Sequence, residues 1–129
     1  MRDDFQGFEL QILAWAPKLE QHVLTVRKKV AFDILKGVVM MTPVDTGRAR
    51  GNWQVTVGEQ PREGIEEADK TGDRAKARGL AEIELTLPGE VIWIHNNLPY
   101  IGALERGHSG QAPHGMLRVT LNSVEGMFR

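Results

Sequence analysis

Four histidines, His22, His95, His108 and His114, are the first places to look for acid–base or metal chemistry in this chain. His108 and His114 stand six residues apart, with Glu105 just upstream and Ser109 next in line. A His/Glu pair can activate water for hydrolysis, and two imidazoles with a carboxylate can hold zinc. The spacing argues against both. No H-E-x-x-H repeat is present, and a Ser that directly follows a His in a loop points away from it. No G-x-S-x-G elbow occurs. Glu90 and Glu105 are conceivable as a glycosidase-type pair, but nothing in the sequence brings them together. Gly102, Gly107 and Gly110 do not follow a dinucleotide-binding spacing, and there is no G-x-x-x-x-G-K loop. Arg48 and Arg50, flanked by Gly47 and Gly51, suit a phosphate, a salt bridge to an acid, or plain solvation. The chain has no cysteine, which removes thiol catalysis, thiolate metal sites and disulfides. The expectation is a chain with no catalytic residue, no metal and no cofactor or small-molecule ligand.

The elements that must position these residues fit one domain of 129 residues. Aromatic residues make up only 6% of the chain, so the core must draw on Val, Leu, Ile and Met. Sixteen basic and seventeen acidic residues leave a formal net charge of −1, which gives no basic field for holding nucleic acid by its phosphates. The opening MRDDFQGFEL has two acids and no basic stretch before an apolar run, so no secretory signal reads from it. The nearly apolar run around Val38–Met41 is too short to cross a membrane. The expected location is the cytoplasm.

Phe5, Phe8, Ile12 and Trp15 fit a short helix, and Phe8, Leu10, Ile12 and Ala14 fit a strand equally well. After Pro17 the pattern is clearer. Leu19, Val23, Val26, Val30, Ile34, Val38 and Met41 recur every three or four residues and predict one helix about 23 residues long, with Arg27 on another face. Ala31, Phe32, Leu35 and Val39 widen its apolar surface, so its second half is packed on more than one side, either by its own fold or by a neighbouring subunit. Thr42-Pro43 ends it, because the residue before proline is pushed out of the helical region. Val44–Gly47 reads as a turn stabilised by Asp45, and Asn52–Gly58 as a half-buried strand. Glu59–Gly79 holds eleven charged residues among twenty-one and reads as a mobile charged loop, with weak support for a helical piece at Arg74–Arg78. Leu80–Leu87 and Val91–His95 read as two further strands, Tyr100–Arg106 as one or two helical turns stopped by Gly107, and Pro113–Phe128 as a closing helix or strand–helix. The fold class is α+β, a long helix on a small, mostly antiparallel sheet.

Two segments then carry a resemblance. TPVDTGRARGNWQV at Thr42–Val55 resembles a signature of the tail-completion and neck proteins of long-tailed bacteriophages, small virion components near the head–tail joint. IHNNLPYIGALERGHS at Ile94–Ser109 resembles that family's N-x-x-P-Y followed by L-E-x-G, and Gln111-Ala112-Pro113 with Gly115-Met116 continues it. The likeness spans roughly Leu19–Leu121, with Glu59–Gly79 as an unmatched stretch, and Arg106 stands where the family favours an aromatic residue. The resemblance implies a structural protein of the virion tail or neck, assembled in the bacterial cytoplasm and forming a homo-oligomeric, hexameric ring. Its partners would be tail-tube and head–tail connector proteins, with DNA only as passing cargo and no membrane. On that expectation Asp45, Thr46, Arg48, Arg50, Asn96, Asn97, Tyr100, Glu105, Arg106 and His108 are the candidate interface residues. Arg48 and Arg50 would pair with Glu105 or with an acid on a neighbour, while Trp53 and Tyr100 suit core anchors better than exposed ones. The alternatives are a small hydrolase or nuclease built on His108 and Glu105, and a non-viral protein-binding module. A further expectation is that the two segments meet, within one subunit or across the ring.

Overall fold

A computed structural model describes residues 8–12 (backbone), 20–59 and 64–127. Phe5, Trp15, Pro17, Leu19 and Phe128, named above, lie outside the described residues, as do positions 60–63 of the charged stretch. The elements in order are β1 (Phe8–Ile12), α1 (Glu20–Met41), α2 (Arg48–Gly51), β2 (Gln54–Val57), α3 (Asp73–Glu84), β3 (Ile92–Asn96), α4 (Ile101–Glu105) and α5 (Leu117–Gly126). The fold is α+β. The described strands form an antiparallel sheet of order β1-β3-β2, with Leu10 and Val55 both opposite Ile94.

α1 is the spine. Its buried face is Leu24, Arg27, Ala31, Ile34, Leu35, Val38 and Val39, steps of three, four and one that make a single helical seam. This seam is rotated from the predicted stripe: Val26 is 50% exposed, Met41 is also exposed, and Arg27 is buried. The cause is tertiary. The Arg27 guanidinium donates to the Glu90 carbonyl, so a charged residue can sit where periodicity alone expects an aliphatic one. Burial lowers the Arg27 pKa, and the nearby Glu90 carboxylate opposes that shift. The extra apolar width of α1 is covered within the chain, because α3 packs on one side and α5 on another. Gly37 makes the second contact close: a β-carbon there would overlap the Thr120 side chain.

α3 replaces the predicted strand at Leu80–Leu87. Alternation of Ile83, Leu85 and Leu87 suggested a strand, yet Leu85 and Leu87 are exposed and only Ile83 is buried. The true seam is Ala75, Gly79 and Ile83, four residues apart and built mostly of small side chains that carry little hydrophobic signal. α3 runs antiparallel to α1. Near its start the Lys76 ammonium meets the Met40 sulfur, and at its end the Lys28 ammonium donates to the Glu84 carbonyl (2.9 Å). The third strand of the sheet is instead β1.

The charged stretch is likewise corrected. Residues 73–79 are the first turns of α3, and residues 64–72 are tied to the fold. Asp69, buried, accepts the Gly72 and Ala75 amides at 3.0 Å each and the Thr71 hydroxyl at 3.2 Å, capping α3 from upstream. Burial pushes the Asp69 carboxyl up, but the Ala75 and Gly72 amides and the Thr71 hydroxyl carry it below the ordinary aspartate value. Among the described residues, no helix is long and apolar enough to cross a membrane.

Candidate functional site

Thr42 ends α1 and starts the first segment. Its hydroxyl donates to the Val38 carbonyl and accepts from the Trp53 indole at 2.7 Å, so the helix stop and the strand start share one buried contact. Trp53 is fully enclosed, a core anchor. Between them the chain turns at Gly47, whose φ of 89° belongs to the left-handed region. A β-carbon at Gly47 would lie 2.6 Å from the Lys70 amide nitrogen, so the position admits only glycine on both counts. The chain approaches closely at Gly47 and Gly51, and residues 67–70 make the approach. The Asp69 amide donates to the Gly47 carbonyl at 3.0 Å.

Arg50 makes no ion pair among the described residues. Its guanidinium donates to three carbonyls, those of Met40 (3.1 Å), Thr42 (2.9 Å) and Lys70 (2.8 Å). It thereby braces the open end of α1 against the 64–72 stretch, where helix carbonyls lack partners. Asn52, buried, accepts the Ile65 amide (2.8 Å) and donates to the Arg48 carbonyl (2.8 Å).

The second segment leaves β3 at Asn96. This side chain is 0% exposed, donates to the Ala49 carbonyl at 2.8 Å and accepts the Leu98 amide at 3.2 Å. α4 follows and stops at Gly107, as its sequence predicts. Glu105 points inward. Its carboxylate accepts the amides of Met116 (2.9 Å), Leu117 (2.8 Å) and Arg118 (3.1 Å), the first turn of α5. A carboxylate on those amides satisfies donors that the helix cannot use and complements its positive end. The expected pairing of Glu105 with Arg48 or Arg50 is thus replaced by a helix cap. A catalytic partnership with His108 loses its acid for the same reason, and His108 and His114 are both exposed. No three acidic or histidine side chains among the described residues come together as a metal site.

The two segments meet within one chain. Besides the Asn96–Ala49 bond, the Gln111 amide group grips Val44 at both ends, accepting its N–H at 2.9 Å and donating to its carbonyl at 3.1 Å. Between these clasps lies an open groove of about 270 Å³. Pro43, Val44, Leu104 and Tyr100 supply apolar lining, and Asp45, Thr46, Arg48, Ser109 and Gln111 supply polar groups. Tyr100 is 43% exposed, so it belongs to the surface and not to the core as first read. Asp45, Thr46 and Arg48 are also exposed, and Arg48 makes no ion pair among the described residues.

No family model, curated protein or solved structure matches this chain.

The candidate residues therefore sort by geometry. Asp45, Thr46, Arg48 and Tyr100 line the groove. Arg106 and His108 are exposed at the end of α4 and just beyond it, and Asn97 is half-buried after β3. Asn96 and Glu105 are buried braces and cannot touch a partner, and Arg50 is a half-buried one. Sequence reasoning missed Gln111, Asn52 and Asp69. Asp69 left a local trace in D-K-T-G-D, an acid followed by Thr and Gly before a helix-forming run. Gln111 makes its bonds to Val44 67 residues away, and Asn52 accepts from Ile65 13 residues away, so neither bracing role shows in the local sequence.

Proposed function

We propose that this chain is a structural protein of a tailed-phage virion, forming a ring at the head–tail joint or tail end and completing the tail for attachment to the head connector. The observation that carries the proposal is the union of the two family-like segments, Thr42–Val55 and Ile94–Ser109, in one groove of one subunit. Side chains that hold loops in place lie on its inner side, and Arg48, Asp45 and Tyr100 stand at its solvent side. Arg and Tyr are the residue types that concentrate binding energy at protein interfaces. The chemistry of the site supports assembly over hydrolysis by a His108–Glu105 pair, because Glu105 is committed to capping α5.

The test is removal of the chain from the bacterium that produces the particles, with electron microscopy of the lysate. Heads and tails should remain unjoined, and the wild-type chain should restore joining while Arg48→Glu should not. Normal joined particles without the chain would rule the proposal out. Negative-stain images of the purified chain, with light scattering for mass, would give the subunit count.

A further inference from the structure

The groove has a counterpart elsewhere on the molecule. After α3 the chain forms a tight knuckle, Leu85–Glu90, whose Leu85 and Leu87 are 72% and 63% exposed, the two most exposed large apolar side chains among the described residues. The knuckle is held firmly. Thr86 between them is buried and its amide donates to Ile83, while the Leu87 amide donates to the Glu90 carboxylate at 2.6 Å. The Arg27 guanidinium and the Lys28 ammonium fasten it to α1 through the carbonyls of Glu90 and Glu84. Two aliphatic side chains are thus presented to water on a braced turn, which lowers the ordering cost of docking them.

Knuckle and groove lie toward opposite ends of α1. The knuckle meets the helix at Arg27 and Lys28, whereas the groove starts at Pro43, just past its last residue. The helical span from Lys28 to Met41 puts them about 20 Å apart. Their charges are complementary. Glu82 and Glu84 are exposed beside the knuckle, with the half-buried Lys28 bonded to the Glu84 carbonyl, and the groove shows exposed Arg48 together with exposed Asp45. The groove is smaller than the ~300–1,000 Å³ typical of small-molecule sites and is open to solvent, so it suits side chains on a protein surface.

The geometry points to a head-to-tail contact between two copies of this chain, in which Leu85 and Leu87 of one copy seat on Pro43, Val44, Leu104 and Tyr100 of the next. Glu84 then faces Arg48, and Lys28 faces Asp45. Two different patches toward opposite ends make a heterologous contact, which propagates and closes as a ring or continues as a filament. The contact rests on the ring reading for its closure.

Because the chain has no cysteine, cross-linking reads the contact directly. The full chain carrying both Leu87→Cys and Ser109→Cys, oxidised at protein concentrations up to about 1 mM, should give a ladder beyond the dimer. Each single cysteine variant should stop at the dimer. Adding Leu85→Asp, at an exposed position that leaves the fold intact by circular dichroism, should cut the ladder by at least about tenfold. Arg48→Glu should cut it similarly, and Glu84→Arg in the same chain should restore it. Absence of the ladder, or a ladder indifferent to Leu85→Asp and Arg48→Glu, overturns the contact. A ladder from a chain that proves dispensable for head–tail joining sinks the virion role alone. Joining that needs the chain, with no ladder either in solution or in joined particles, sinks the contact alone.

Discussion

The buried side behind the groove and the groove's exposed lining are made from the same two stretches of sequence, yet they do different work. On the inner side Arg50, Asn52, Asn96 and Glu105 spend their hydrogen-bonding capacity on backbone groups. On the outer side Asp45, Thr46, Arg48 and Tyr100 are exposed to water. A run of motif residues is therefore not a run of contact residues. Polar side chains that fix loops and polar side chains exposed to water alternate along it, and on the proposed function a substitution probes assembly only if it falls on the second set.

Five substitutions would break or sharpen this division. The largest effect is expected at Glu105→Ala, which leaves three amides of the first turn of α5 without their acceptor. About 3 kcal/mol of stability should be lost, measured by urea unfolding, and assembly should fail only because the fold does. Asn96→Ala should cost about 2 kcal/mol, since it strands the Ala49 carbonyl and the Leu98 amide in a buried place. If either variant kept full stability while losing assembly, the inner side would be a contact surface after all.

Asp69 gives a pH test of the inner side. Its carboxyl is held below its ordinary value, so its contribution is complete above the range where a free aspartate titrates and is lost as pH falls through the folded value. Stability should therefore drop in acid, and Asp69→Asn should flatten part of that drop while costing about 1 kcal/mol near neutrality. Matching acid profiles for the two proteins would show that Asp69 does not cap α3. The smallest effect on stability belongs to the outer side. Arg48→Glu and Tyr100→Ala should move the unfolding free energy by no more than about 0.5 kcal/mol, with the loss confined to association, read by light scattering.

How much was legible beforehand depends on the range of the interactions involved. Thr42-Pro43 as a helix stop, Gly47 as a turn, β3 as a buried strand and Gly107 as the end of α4 all follow from chemistry within a few residues, and the structure has each of them. The sequence suggests Glu105 as an interface residue paired with Arg48 or Arg50, and the structure instead turns it inward onto amides eleven to thirteen residues away on another element. The charged stretch was read as too polar to order. Its composition does lack apolar residues, but residues 64–72 are held by hydrogen bonds to Gly47, Arg50 and Asn52, whose presence no composition reveals.

By itself the sequence determined the α+β class, the length of α1 and where it ends, and the turn chemistry of both motif segments. These depend on backbone propensity, proline and glycine, which act locally. Tertiary structure decided which face of α1 is buried, since Arg27 becomes tolerable inside only when the Glu90 carbonyl is there to receive it. It decided that residues 73–84 are helical, since Gly79 fits closely beneath Leu35 and Val55 and Ala75 is fully buried, in a way that small residues do not advertise. It also decided that the two segments form one groove, because the bonds that join them, Asn96 to Ala49 and Gln111 to Val44, span 47 and 67 residues and exist only once the chain has folded.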